Sequence, residues 1–90
     1  MEPTLRQLRY FIALAETKHF GQAALRSHVT QPALSMQIKE LEEALGAPLI
    51  ERSRRGALLT PAGVDVAQRA RSILQSVRDL AMWRASTQAC

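Results

Sequence analysis

The sequence predicts a mainly α-helical domain: three short helices, a short β-hairpin and one long closing helix. Three observations predict it. Apolar residues recur at helical spacing in three short segments, each bounded by a capping or breaking residue. Two short extended stretches then flank a four-residue turn that contains a glycine. Finally, Thr60-Pro61 opens a long seam in which no proline or glycine follows Gly63. Ninety residues, 47% of them hydrophobic, hold enough apolar mass for one small core, and a second copy would add to it.

The first helix is expected over 4–18. Thr4 and Gln7 fit a capping box, and Leu5, Leu8, Phe11, Ile12 and Ala15 form one apolar face with Arg6, Arg9 and Glu16 off it. A connection over 17–21 leads to a second helix over 22–27, with Gly21 as its N-cap and Phe20 packed beneath. Ala23 and Ala24 are small enough for another helix to approach closely. His28-Val29-Thr30 is a tight link, and Thr30 caps the third helix, whose first turn tolerates Pro32. Leu34, Ile38, Leu41 and Leu45 make its buried stripe; Gly46 ends it in a left-handed cap and Pro48 blocks its resumption.

Extended segments are expected over 48–52 and 57–60, anchored by Leu49, Leu58 and Leu59 and joined by Ser53-Arg54-Arg55-Gly56. The closing helix is expected over 61–86, with proline at its first position. Val66, Ala70, Ile73, Val77 and Leu80 recur at alternating spacings of four and three, a coiled-coil seam, and Ala67, Leu74 and Ala81 widen it. One stripe is expected on the chain's own domain and the other on a partner copy. The expected division is therefore 1–60, a compact unit, and 61–90, a linker and dimerisation helix.

Three helices and a hairpin, with about three residues between the second and third helices, describe a winged helix-turn-helix. The buried stripe of the third helix turns Pro32, Met36 and Lys39 outward and puts Gln31, Ser35 and Gln37 on the flanks. Small or neutral polar side chains there suit base edges, and the helix N-terminus suits phosphate. Glu40, Glu42 and Glu43 crowd the second half, which is expected to point away from DNA and also reads as a solvated face. Arg54 and Arg55 sit at the turn with no acid beside them, suited to phosphate or a narrow minor groove.

The net charge is +4, and Lys18 and Lys39 are the only lysines among twelve basic residues. Arginine donates in pairs from a planar fork, which favours phosphate and base edges. Enzymatic readings fail. His19 and His28 have no partner at metal-ligand spacing, Ser27, Ser35 and Ser53 sit in no nucleophile elbow, and no glycine-rich phosphate loop exists. Neither a cofactor nor a metal is expected. The single cysteine is Cys90, which excludes an internal disulfide and fits a reducing cytoplasm. No apolar run approaches a membrane span, and the N-terminus has no signal-peptide stretch. The rival to DNA binding is a helical dimeriser whose basic patch meets an acidic protein.

The stretch LRQLRYFIALAETKHFGQAALRSHVTQPALSMQIKELEEALGAPLIERSRRGALLTPAG resembles the N-terminal DNA-binding domain of LysR-type transcriptional regulators. The resemblance covers about 4–64 by motif and continues through 86 as that family's linker helix. It implies a bacterial regulator that binds double-stranded DNA at a roughly palindromic site, as a homodimer through the linker helix. It also implies a C-terminal effector-sensing domain outside this chain, with higher oligomers in a full-length protein. By position, the groove-facing residues fall on Thr30, Gln31, Pro32, Ser35, Met36 and Gln37, and the wing contacts on Arg52, Ser53, Arg54 and Arg55. Lys39 joins them from its outward position. The dimer contacts fall on Val66, Ala70, Ile73, Leu74, Val77, Leu80 and Ala81. Gly21, Ser27 and Met36 depart from the residues usual in the family at those positions.

Overall fold

A computed structural model describes residues 1–83. The order of elements is α1 (Leu5–Thr17), α2 (Phe20–Arg26), α3 (Gln31–Leu45), β1 (Ile50–Ser53), β2 (Gly56–Leu59) and α4 (Pro61–Met82). This is the winged helix-turn-helix that the apolar spacing predicts.

Threonine begins three of the four helices. Thr4 and Gln7 close a reciprocal capping box: Thr4 Oγ1 accepts from the Gln7 amide at 3.1 Å and Gln7 Oε1 accepts from the Thr4 amide at 3.0 Å. Thr30 Oγ1 accepts from Ala33 at 3.2 Å, and Thr60 Oγ1 from Gly63 at 2.9 Å. Each such cap contributes about 1 kcal/mol. The start of α2 differs from expectation. Gly21 lies inside the helix, and the cap is His19, whose Nδ1 accepts from the Gln22 amide at 3.1 Å. A ring nitrogen caps the helix two residues earlier than the glycine suggested.

Phe11, Leu14, Leu34, Leu41 and Leu49 are the largest fully buried side chains, and each contributes roughly 1.5–3 kcal/mol. Ala13, Ala15, Ala23, Ala24, Ala67 and Ala70 fill the narrow spaces between helices. The expected faces run slightly wider than the core. Leu5 is exposed, Ile12 is only partly covered, and Leu45 is 39% exposed at the end of the α3 stripe.

The strands pair antiparallel, from Ile50 with Leu59 to Ser53 with Gly56, leaving Arg54-Arg55 as a two-residue turn. Gly56 has φ +117°, and a Cβ there would fall on the Lys18 carbonyl oxygen. That carbonyl accepts from the Ala57 amide at 2.9 Å, which ties the hairpin to the end of α1. Lys18 reaches this place as a left-handed C-cap, φ 57°. At the other end of the hairpin, Glu42 Oε2 accepts from the Leu49 and Ile50 amides at 2.7 and 3.3 Å.

The first turn of α4 presses on this joint. A Cβ on Gly63 would fall on the Leu49 carbonyl oxygen, while Thr60 donates to that oxygen from its amide at 3.0 Å and to the Pro48 carbonyl from its hydroxyl at 2.7 Å. Further along, Ala67, Ala70 and Leu74 enter the core, packing α4 across α1. At about 1.5 Å per residue, its 22 residues reach about 33 Å. The helix ends at Met82, with Trp83 extended as its C-cap, short of the expected limit of 86; positions 84–86 of that expectation lie outside the described residues.

Candidate nucleic-acid interface

α2 and α3 meet through a four-residue turn, 27–30. The Val29 amide donates to the Ala24 carbonyl at 3.0 Å and the His28 amide to Leu25 at 3.2 Å. His28 takes a left-handed backbone, φ 58°, which a residue with a Cβ adopts at a cost of about 1–2 kcal/mol. The turn leaves the start of α3 projecting outward.

Thr30, Gln31, Pro32, Met36 and Lys39 are exposed along the outer side of α3, with Met36 62% exposed. The Gln31 carboxamide lies beside α2: a Cβ on Gly21 would sit 3.5 Å from its Oε1. The N-terminus holds fewer open amides than its dipole suggests. Pro32 has no N–H, Thr30 takes that of Ala33, and Leu34 donates to the Thr30 carbonyl, so Gln31 carries the one first-turn amide left.

Four expected contact residues are partly spent on the protein itself. Gln37 is half-buried, and its Oε1 accepts from Nε2 of the buried Gln7 at 3.3 Å, bracing α3 against α1. Ser53 holds the turn: its hydroxyl donates to the Gly56 carbonyl and accepts from the Arg55 amide, both at 3.2 Å. Ser35 is half-buried and accepts from the Arg52 guanidinium at 2.8 Å. Arg52 also lies over the Phe20 ring, 4.2 Å from its centroid.

The hairpin therefore runs beside the outer flank of α3, with a groove between them lined by Phe20, Ser35, Met36, Lys39, Glu42 and Arg52. Arg54 and Arg55 are exposed at its tip. Among the described residues the ion pairs are Arg26 with Glu16 at 2.6 Å and Arg69 with Asp65 at 2.9 Å, so the tip arginines are uncommitted.

Sequence reasoning missed Phe20 as a platform for Arg52, and Glu42 as the anchor of β1. The partners of Phe20 and Arg52 lie 32 positions apart, and Glu42 sits in a run of acids that looks like a solvated face. Spacing alone marks neither.

On α4 the expected seam divides. Ala70, 1% exposed, and Leu74, 6%, are buried by the chain's own domain and are corrected from partner contacts to core. Val66 and Val77 are half-covered, while Ile73, 44% exposed, Leu80 and Ala81 face outward. Val66, Ala70 and Ile73 line a largely apolar groove with Pro3, Leu8, Leu45 and Arg69. Val64, Met82 and Trp83 add to the exposed apolar surface of the helix. No helix among the described residues is long and apolar enough to cross a membrane.

Comparison with known proteins finds a match over residues 5–64 to the family described as bacterial regulatory helix-turn-helix protein, lysR family. The HTH-type transcriptional regulator EstR of Acinetobacter baylyi is 53% identical over 78 residues, which is 87% of this chain and 26% of that protein. The crystal structure of a CbnR DBD–DNA complex superposes with a TM-score of 0.88 at 42% identity, over 97% of this chain and 99% of that one. The oxidized form of OxyR from Corynebacterium glutamicum superposes with a TM-score of 0.86 at 44% identity, over 90% of this chain and 25% of that one. The chain spans about a quarter of the length of the curated relatives it matches.

Proposed function

This chain belongs to the lysR family of bacterial regulatory helix-turn-helix proteins, and on that premise we propose that it binds double-stranded DNA sequence-selectively, as a transcriptional regulator. The observation that carries the reading is the pairing of two surfaces. An exposed, neutral polar face at the start of α3 lies beside a hairpin whose tip holds two uncommitted arginines. A helix of this width fits the major groove, and arginines in the two-residue turn between the strands can reach the flanking phosphates or minor groove.

In this reading Gln31, Pro32, Ser35 and Met36 meet base edges. Thr30 and Lys39 flank them, and Arg54 and Arg55 hold the backbone. Met36 cannot donate a hydrogen bond, so it touches a thymine methyl. Gln37 and Ser53 act by bracing, through Gln7 and the turn. The DNA-complexed relative supports this arrangement by its likeness over nearly the whole chain.

Residues 1–60 form the reading unit, and α4 serves as the linker and dimerisation helix. Two copies pack through the outward stripe of α4, Val66, Ile73, Val77, Leu80 and Ala81, covering the apolar groove beside Pro3 and Leu45. A two-fold pair presents two α3 helices to one duplex, which calls for a roughly palindromic site in the bacterial cytoplasm.

The test is competition. A duplex of the preferred sequence, a scrambled duplex of equal composition and polyglutamate compete for the chain at one salt concentration. The scrambled duplex competes on the order of 10³-fold or more weakly than the preferred one. Equal competition by polyglutamate and the preferred duplex would replace this reading with that of an acidic-protein binder.

A further inference from the structure

Ser35 raises a question of polarity, and the answer rests on the DNA-binding reading above. A serine hydroxyl has one donor and two acceptor sites and rotates to suit its neighbours. Within helices the donor is commonly spent on the carbonyl four residues back. Thr17 does this, donating to the Ala13 carbonyl at 2.9 Å. Ser35 does not: among the described residues its Oγ only accepts, from Arg52 at 2.8 Å.

Arg52 is itself held on two sides. The Phe20 ring lies beneath its guanidinium at 4.2 Å, a cation–π contact. Its strand is fixed at the start by the Glu42 carboxylate, which accepts from Leu49 and Ile50. The guanidinium has donors only, so the face it presents to Ser35 takes a lone pair and leaves the O–H to point elsewhere.

We propose that Arg52 is a positioning residue that fixes Ser35 as a donor, so that Ser35 selects a base with an acceptor on its major-groove edge. Guanine offers N7 and O6, and thymine O4. Adenine offers N7 beside an N6 donor, and cytosine offers only its N4 donor. The base facing Ser35 is then guanine, thymine or, through N7, adenine, and cytosine alone is rejected because two donors would oppose each other. In the free chain the Arg52–Ser35 bond is exposed to water. Docking against DNA removes that water and strengthens it.

The test uses the 90-residue chain on duplexes varied at each position of its preferred site. Ser35→Ala first identifies the position whose preference relaxes. There, wild type disfavours cytosine about 3- to 10-fold, as expected for one hydrogen bond. Arg52→Met frees the hydroxyl to rotate and accept, and the bias against cytosine falls to within about twofold. Phe20→Leu removes the platform while keeping both polar groups, and gives the same loss should Arg52→Met fail to fold. In the Ser35→Ala background neither substitution changes base preference further. A uniform loss of affinity for all four bases on Arg52→Met would overturn the proposal and make Arg52 a phosphate contact. Unchanged preference at every position on Ser35→Ala would overturn it as well. Wild type failing to prefer any duplex is a separate result, which removes the DNA-binding reading itself.

Discussion

Gly63→Ala should destabilise the fold although it replaces glycine within a helix. In an exposed helix interior this exchange gains about 1 kcal/mol. Here the added Cβ falls on the Leu49 carbonyl oxygen, with the Leu49 carbonyl carbon at 3.1 Å and Cα at 3.4 Å. These are backbone atoms and cannot rotate away. Leu49 is fully buried, its amide is held by Glu42 and its carbonyl by Thr60. Relief therefore moves α4 against the base of the hairpin. Overpacking of this kind costs about 1–3 kcal/mol, here at the upper end because backbone must shift, so a net loss of roughly 1–2 kcal/mol is expected after the helix gain. In a domain of this size that lowers Tm by roughly 4–16 °C. Gly46→Ala is the control: its φ is +71° with nothing within 4 Å of the new methyl, so only the left-handed strain of about 1 kcal/mol applies. Urea unfolding followed by circular dichroism, at matched protein concentration, measures both. Gly63→Ala as stable as wild type would refute the close contact between α4 and the Leu49 carbonyl ahead of β1.

Three further outcomes follow from the same structure. Replacing Arg54 and Arg55 together with alanine should lower the salt slope of log affinity by roughly one to two units, about 0.9 per lost phosphate contact; an unchanged slope and affinity would make the wing a bystander. Ile73→Asp places a charge in the outward stripe while leaving Ala70 and Leu74 in the core, so the variant should sediment as a folded monomer and wild type, on the proposed packing, as a dimer. Identical sedimentation of the two would move the dimer contact elsewhere. His28→Gly removes left-handed strain at the α2–α3 turn and should raise stability by up to ~1 kcal/mol, net of the entropy of glycine, as read by thermal unfolding; a clear loss of stability would mean the imidazole holds the turn.

What was legible in the sequence was local. Thr4 with Gln7, Thr30, Thr60-Pro61 and Gly46 announce helix ends through bonds within one turn, and all four act as read. Histidine is an unusual cap, so His19 gave way to Gly21 in the reading. Apolar periodicity identified each inner face but not how far its neighbours cover it, which is why Leu45 lies partly open. The α4 seam shows the same limit. Its spacing cannot say which stripe meets α1, and Ala70 and Leu74 proved to be the chain's own core. In the candidate site, the joint of Phe20, Ser35 and Arg52 brings together three elements across 32 positions. Only the fold creates that contact, because each residue alone has an ordinary surface role.

The most direct test of the central claim is selection of bound sequences by this chain from a pool of random duplexes. The account predicts enrichment of a two-fold symmetric motif, with half-sites about one helical turn or a multiple apart. Its binding should weaken with salt in proportion to the phosphates contacted. A pool that emerges without sequence preference, from a chain that stays folded and dimeric, would contradict α3 as a reader of DNA sequence.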